Sequence, residues 1–407
     1  MSIASHHPPQ RWHVPMRGRD RGEVHRASTP LELFFDLSFV VAVAAAAAAM
    51  HHELVAGHVL DGVVNYVMVF FAIWWAWMNF TWFASAFDCD DVLYRLLTFV
   101  QMVGALIIAA GVKNAFEELD FTVITIGYLV MRIALITQWL RVALEDAAMR
   151  PTALRYALGL AVVQGLWVAR LALPSEIGIV AFVPLAIGDL LVPVWAERKL
   201  GTPWHPGHIA ERFGLFTIIV LGESVLAATV AVRDAVGDQG GLSMGLVALA
   251  AGAIVLLFAM WWAYFKHHAD DEDLQRLPWL WGYGQYFVFA SAAAVGAGIQ
   301  VAAEAMTHEI ALGAVAVALT IAVPVTIYLA AGWLVTNSGR SWSFFGPVAA
   351  AIALVLATSL LAAISLPLAV LAIAVIVATV VAVTAYRGAR LVSGGAVEGS
   401  PSSAHPS

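Results

Sequence analysis

Asp36 and Glu223 are acidic residues inside long apolar segments of the chain. A charge near the bilayer centre costs about 2.5–3.5 kcal/mol on insertion scales, so such a residue is usually paired or functional. Glu223 is the deeper of the two, about 22 Å along a helix that starts near His208. At that depth a carboxyl group either pairs with a cation or takes up a proton, because desolvation penalises its charged form. We therefore expect both acids to line a polar pathway.

For Glu32, Asp36 and Glu223, the alternative to a place on a polar pathway is a purely structural role. Thr29, Pro30 and Glu32 fit the N-cap, first and third positions of a capping box, which gives Glu32 a structural use at the membrane edge. Asp36 lies one turn further along the same helix face, beyond the reach of a cap. Its alternative role is a buried hydrogen bond to another helix, and that of Glu223 is a structural ion pair.

Three more charged residues join the candidate pathway. Arg132 lies in the fourth apolar segment and needs a partner on another helix. Glu211 and Arg212 precede Glu223, and at the cytoplasmic edge they could simply extend towards the interface. Arg212 and Glu223 share a helix face but stand about 16 Å apart, so we expect no direct pair between them. The candidate partners of Arg132 are Asp36, Glu223 and Asp189.

Histidines cluster in two predicted loops, but neither cluster has a recognised ligand spacing such as HExxH. We therefore predict no metal site. His25 and His208 each precede an acid-bearing segment, and for both a surface position is favoured over a role in sensing pH. The clusters are His51, His52, Glu53, His58 and Asp61 in an outer loop, and His267, His268 and Asp270 in an inner one.

The elements that carry these residues must be membrane-spanning helices. Of 407 residues, 61% are hydrophobic and 12% are charged, against about 25% charged in an average soluble domain. A soluble fold could not cover so much apolar surface with polar residues. Apolar runs of about 20 residues recur along the chain and predict an all-α polytopic membrane protein of about twelve helices, with the lipid bilayer as its partner.

Several function classes are excluded. The net charge of −7 argues against a nucleic-acid partner. The single cysteine excludes an intrachain disulfide and a CxxC redox pair. No GxxxxGK[ST] motif is present, so the chain does not resemble an ATP-driven motor. We expect no cofactor and no enzymatic activity.

The distribution of basic residues predicts the orientation in the membrane. With a cytoplasmic N-terminus and twelve alternating helices, most Lys and Arg residues fall on the inner side, as the positive-inside rule requires. The outer side receives only Lys113, Arg170 and Arg233. Residues 1–28 then form an Arg-rich cytoplasmic tail that lacks the pattern of a signal peptide. Residues 391–407 are predicted to be a disordered tail.

A faint internal repeat suggests two halves. WWAW at 74–77 and WWAY at 261–264 each end an apolar segment and are followed by acidic residues and an arginine. We predict two parallel six-helix halves, 29–200 and 201–390, which is an architecture found in transporters. The alternative to a repeat is that paired tryptophans mark interfaces in most membrane proteins. We attribute the aromatic residues of these segments mainly to interfacial anchoring, namely Trp74, Trp75, Trp77, Trp82, Trp261, Trp262, Trp279 and Trp281.

Three segments together carry a family resemblance. EVHR at 23–26, LELFFDLSFV at 31–40 and ERFGLFTIIVLGE at 211–223 resemble the hallmark segments of the bacterial low temperature requirement A (LtrA) family. One departure is small, since Ser38 stands where the family often has valine. The resemblance implies a multi-pass protein of the bacterial cytoplasmic (inner) membrane, named for a cold-growth requirement, and it supplies no reaction. It marks as motif positions Glu32, Asp36, Glu211, Arg212 and Glu223.

The favoured hypothesis is a proton- or cation-coupled secondary transporter or permease. Asp36 and Glu223, one from each half, would alternate between charged and neutral forms while a small molecule or ion, not identified by the sequence, crosses the membrane. The alternatives are a cold-stress sensor or structural protein of the membrane, and a membrane-embedded enzyme acting on lipid or quinone.

Overall fold

The computed structural model describes residues 11–20, 22–23, 26–238, 240–266, 278–336 and 345–398. Within these ranges it is helical without strands, and twelve helices are long and apolar enough to cross a membrane. The predicted fold class is therefore confirmed. In chain order the helices are α1 (Pro30–Val55), α2 (Val59–Phe87), α3 (Val92–Glu117), α4 (Thr122–Glu145), α5 (Arg150–Arg170), α6 (Ser175–Glu197), α7 (Pro206–Asp238), α8 (Met244–Phe265), α9 (Pro278–Glu304), α10 (Ala314–Thr336), α11 (Phe345–Thr358) and α12 (Leu366–Glu398).

Two segments differ from a simple row of spanning helices. The short α11 is extended by a 3-10 turn over Ser359–Ala363, and together they reach spanning length. The last helix, α12, runs on to Glu398, into the segment 391–407 for which the sequence predicts a disordered tail. Residues 399–407 lie outside the described part of the chain.

The chain divides into two compact units. The first comprises the chain up to Leu54 together with His58–Val220, which carries α1 to α6 and the start of α7. The second comprises Val55–Gly57 and the chain from Leu221 onwards. The division therefore falls inside α7, and the predicted relation of residues 29–200 and 201–390 as parallel repeats stays a prediction.

Aromatic side chains fill the interior of the first unit. Trp74, Trp75 and Trp77 are at most 2% exposed, so the prediction that they anchor the membrane interface is wrong for these three. Almost every residue of α2 from Met68 to Phe87 is buried, so this part of the helix is surrounded by protein. Between α4 and α5, Trp139 and Tyr156 stack with ring centroids 4.1 Å apart.

Part of the predicted N-terminal tail is docked on the first unit. The backbone N–H of Val14 donates to Asp91 at 2.8 Å, and that of Gly18 donates to Asp146 at 2.9 Å. The N–H of Arg19 donates to the carbonyl of Ala86 at 3.0 Å. These bonds tie the tail to the end of the unit where α2 and α4 end and α3 begins.

Candidate functional site

The site begins at the first turn of α1. The N–H of Thr29 donates to Glu32 Oε2 at 2.8 Å, and the N–H of Glu32 donates to Thr29 Oγ1 at 3.3 Å. These reciprocal bonds are those of a capping box, so the predicted cap is confirmed. The capping bond uses Oε2 of Glu32, so Oε1 contacts other partners. The side chain of Glu32 is fully buried.

Asp36, one turn further along α1, forms a forked ion pair with Arg212 of α7. Arg212 Nε lies 2.9 Å from Oδ2, and Nη2 lies 2.5 Å from Oδ1. Trp77 of α2 donates its indole N–H to Oδ1 at 2.6 Å, and Thr81 lies 3.4 Å from Arg212 Nη2. Asp36 and Arg212 are both 0% exposed. The predicted interhelical hydrogen bond of Asp36 is thus present, with two donors.

Arg212 also contacts Glu32. Arg212 Nη1 lies 3.2 Å from Glu32 Oε1, and His208 Nε2 lies 3.2 Å from the same oxygen. Arg26, from the segment before α1, contributes a more distant contact at 3.7 Å. Glu32, Asp36, Arg212, His208 and Arg26 are called the ionic cluster below. All five belong to the first unit.

Arg26 extends the ionic cluster towards the end of α2. Its guanidinium donates to the backbone carbonyls of Ala84, at 2.8 Å, and of Ser85, and lies 3.8 Å from Asp88. Asp88 follows the last residue of α2. Burial raises the pKa of the Asp88 carboxyl to about 6, the charge of Glu32 adds to the rise, and Arg26 opposes it.

Part of the ionic cluster is held by charge rather than by directed hydrogen bonds. Among the described residues, four of its buried polar atoms lack a hydrogen-bond partner: Arg26 Nε, Glu32 Oε1, Arg212 Nη1 and His208 Nδ1. The contact between Glu32 Oε1 and Arg212 Nη1 is therefore ionic rather than directional. Two carboxylates share one central guanidinium beside a histidine, and this composition allows a proton to be added or removed without leaving every charge unpaired.

Arg132 belongs to a separate polar centre in the same unit. Its Nη2 lies 2.6 Å from Asp189 Oδ1, so Asp189 of α6 is its partner among the three candidates. Trp167 of α5 donates to the other carboxylate oxygen at 2.7 Å. Tyr128 lies below the guanidinium, with its ring centroid 4.9 Å from Cζ.

Glu211 and Glu223 lie outside the ionic cluster's contacts. Glu211 is partly exposed and accepts a bond from the N–H of Ser28 at 3.2 Å. Glu223 lies in the part of α7 that belongs to the second unit and is partly buried. No described residue forms an ion pair or a side-chain hydrogen bond with it. The expectation that Arg212 and Glu223 do not pair directly agrees with these contacts.

One alternative and one expectation for α7 are wrong: the alternative position of Arg212 at the interface and the expected surface position of His208. Arg212 does not extend to the interface, because its partners on α1 hold it inside the unit. His208 is not a surface residue, because it is 0% exposed and contacts Glu32. His25, His267, His268 and Asp270 lie outside the described residues. The other histidine cluster does not form the predicted loop, because His51, His52 and Glu53 lie in α1 and Asp61 lies in α2. His58, between these two helices, contacts Glu53 at 3.1 Å.

Sequence reasoning did not select Arg26, Trp77, Thr81 or Asp88 as site residues. Arg26 stood within the EVHR segment, which was noted only for the resemblance. Trp77 was attributed to the interface because local sequence does not distinguish a buried tryptophan from an anchoring one. The polar Thr81, one turn from Trp77 on the same helix face, was the available signal.

Twelve spanning helices with charged side chains paired inside a unit define a multi-pass integral membrane protein that contacts the lipid bilayer. The family is shown by comparison with known proteins. The model of the bacterial low temperature requirement A protein (LtrA) matches residues 27–384, and the chain belongs to this bacterial family.

A curated relative shares part of this sequence. The uncharacterized protein RA0937 of Rhizobium meliloti (strain 1021) is 24% identical over 262 residues, which are 62% of this chain. The matched region spans 61% of that protein's own length. No solved structure matches the chain.

Proposed function

We propose that this LtrA-family protein is a proton-coupled secondary transporter of the bacterial cytoplasmic membrane, with both termini in the cytoplasm. The observation that carries the proposal is the sharing of Arg212 by two carboxylates, Glu32 and Asp36, inside helices of spanning length. Its substrate is a polar or charged small molecule or an ion.

The burial of these charged groups has an energetic cost. Burying a charge in a membrane protein is unfavourable, and a single acid would neutralise Arg212. Glu32 also caps α1 and lies 3.7 Å from Arg26, so it has structural uses besides its contact with Arg212. Together the two acids and His208 provide a second pairing state, in which a proton on Glu32 or Asp36 leaves Arg212 paired with the other acid.

Proton movement would be linked to helix movement through α1 and α7. Both acids are on α1, and both Arg212 and His208 are on α7. Loss of one of the two ionic contacts weakens the attachment between these helices, and this is a two-state element that a proton can bias. Glu223, further along α7, is proposed as the second proton-carrying carboxyl.

The first experiment measures coupled flux. Proteoliposomes loaded with the pH dye pyranine are exposed to gradients of Na⁺, K⁺, amino acids or organic acids. We expect at least one gradient to change the internal pH, and we expect Asp36→Asn, Glu32→Gln and Glu223→Gln to abolish that change. Asp90→Asn is the matched control, since Asp90 is exposed and pairs with Arg95 outside the ionic cluster.

The second experiment needs no substrate. Hydrogen–deuterium exchange is measured at pH 5 and pH 8 over residues 26–40 and 205–216 in the reconstituted protein. After correction for the intrinsic base catalysis of amide exchange, the proposal predicts lower protection factors at pH 5 than at pH 8, because a proton on one acid removes an ionic contact between α1 and α7, and Asp36→Asn should remove this difference. If the protection factors are the same at both pH values and no gradient moves protons, the transporter proposal is wrong. A sensor or structural role in the membrane is then favoured, with the ionic cluster as a static clamp.

A further inference from the structure

Arg26 lies between two acids that belong to different parts of the first unit. Its Nη2 is 3.7 Å from Oε1 of Glu32, in the first turn of α1, and 3.8 Å from Oδ2 of Asp88, which directly follows α2. Neither distance is short enough for a hydrogen bond. The guanidinium is therefore almost equally far from both carboxylates and is bonded to neither.

The backbone at the end of α2 holds the guanidinium in this position. Nη2 of Arg26 donates to the carbonyl of Ala84 at 2.8 Å, and Nη1 donates to the carbonyl of Ser85. The third nitrogen, Nε, is buried and has no hydrogen-bond partner among the described residues. A guanidinium carries five N–H donors. Arg26 therefore has donors left for either acid.

The two acids differ in the partners that remain if Arg26 moves away. Glu32 keeps Arg212 at 3.2 Å and His208 at 3.2 Å. Among the described residues, Asp88 has an ionic contact with Arg26 alone. An ionised Asp88 therefore depends on Arg26, because a buried charge without a partner is unfavourable, whereas Glu32 can release it.

The charge on Asp88 depends on pH close to neutrality. Burial and the charge of Glu32 raise the pKa of Asp88 to about 6, and Arg26 opposes this rise. Asp90, two residues further on, is exposed, so Asp88 lies at the boundary between solvent and the buried ionic cluster. The titratable and charged groups around Asp88 are Arg26 from the segment before α1, Glu32 from α1, Tyr94 from α3, and Cys89 and Asp90 from its own loop.

We propose that Asp88 is a pH sensor for the ionic cluster and that Arg26 carries its signal. When Asp88 is protonated, Arg26 pairs with Glu32. When Asp88 is ionised, it competes with Glu32 for the guanidinium. The pH on the side of the membrane where α1 begins thus sets whether Arg26 joins Arg212 and His208 around Glu32. As a regulation of transport this inference rests on the proposed function, but the competition for Arg26 can be measured without transport.

The titration of Asp88 in the purified full-length protein tests the competition. Infrared spectra of protein that contains 13C-labelled aspartate are recorded in detergent from pH 4 to pH 8, and the band of protonated Asp88 is identified by its loss in Asp88→Asn. Glu32→Gln leaves Arg26 to Asp88 and is expected to lower the midpoint by about one pH unit or more. Arg26→Gln is expected to raise the midpoint by about one unit or more.

Two further variants complete the comparison. Arg26→Lys keeps the positive charge, so its midpoint should lie closer to that of the wild type than the midpoint of Arg26→Gln does. Glu117→Gln is the matched control, because Glu117 is an exposed acid at the opposite end of α3, and it should leave the midpoint unchanged. If folded Glu32→Gln or Arg26→Gln protein keeps the wild-type midpoint, the inference is overturned.

Flux measurements separate this inference from the proposed function. In proteoliposomes that show proton-coupled flux, Asp88→Asn is expected to keep the flux and to lose the part of its pH dependence centred near pH 6. An unchanged pH profile overturns the regulation by Asp88 and leaves the transporter proposal intact. Absence of flux in the wild type contradicts the transporter proposal alone, and the infrared midpoints then decide whether Asp88 and Glu32 compete for Arg26.

Discussion

At the scale of single residues, the ionic cluster depends on spacing along α1. Glu32 and Asp36 are four residues apart, so they lie one above the other on one helix face. Arg212 is long enough to reach both, at 3.2 Å and 2.5 Å. Removing one member of a buried pair costs about 3–5 kcal/mol because the remaining charge is stranded. Asn and Gln substitutions also remove the charge, but they keep the volume of the side chain and so avoid the further cost of a cavity.

Asp88 gives a prediction of pH dependence. Burial raises the pKa of its carboxyl from 3.8 to about 6, so the folded protein binds a proton there more tightly than the unfolded chain. The stability that this group contributes is present below about pH 4 and is lost as the pH rises through 6. The difference amounts to about 3 kcal/mol.

We expect Asp88→Asn to be more stable than the wild type at pH 7 and to lose the decline between pH 4 and pH 6. The melting temperature in detergent, measured from pH 4 to pH 7.5, checks this. Asp90→Asn, at an exposed neighbouring position, should keep the wild-type profile. Parallel profiles for Asp88→Asn and the wild type would contradict the assigned pKa.

At the scale of helices, glycine decides how closely neighbours approach. On α3 and α4, a methyl group added to Gly127 would lie 2.6 Å from the carbonyl oxygen of Gly104, and one added to Gly104 would lie 2.7 Å from that of Gly127. In the second unit, a methyl group on Gly298 would lie 2.5 Å from the carbonyl oxygen of Thr320. Small residues at such contacts are typical of membrane helices, whose association depends on close packing.

We predict that Gly127→Ala destabilises the protein by about 1–3 kcal/mol, because a backbone carbonyl cannot move aside as a side chain can. Gly165→Ala on α5 is the control, since an added methyl group there meets no described atom within 4 Å. Alanine at this site should be neutral or stabilising by about 0.5–1 kcal/mol. Thermal unfolding in detergent compares them, and equal melting temperatures would show that α3 and α4 can separate freely.

At the scale of the whole molecule, two properties of the sequence act together. Apolar runs give twelve helices, and the unequal distribution of Lys and Arg favours one orientation in the membrane. Residues 27–384 match the family model, so nearly all the spanning helices belong to the region that defines the family. Both compact units contribute to that region.

The orientation can be tested with single cysteines in a Cys89→Ser background. Ala172→Cys lies between α5 and α6, and Leu200→Cys lies between α6 and α7; both positions are exposed. The positive-inside rule predicts that a membrane-impermeant maleimide labels only Ala172→Cys in intact cells and labels both after permeabilisation. Labelling of Leu200→Cys alone in intact cells would reverse the proposed topology.

The sequence was sufficient for much of the candidate site. The positions of Glu32, Asp36 and Arg212 and the capping box could be read from local spacing. The partner of Arg132 could be narrowed to three acids but not chosen. His208 was predicted to lie at the surface, but it is buried. A histidine near a predicted helix start is equally compatible with solvent and with an interior contact.

By itself, the sequence determined the membrane class, the helical content and the family, since these follow from composition, hydrophobic run length and short motifs. Only the tertiary structure decided that Arg212 bridges two acids, that Trp77 donates to Asp36, and that Asp189 is the partner of Arg132. The physical reason is range: helix formation depends on neighbours a few residues apart, whereas Asp36 and Arg212 are 176 positions apart. Their contact depends on which helix faces pack together, and no local pattern encodes that choice.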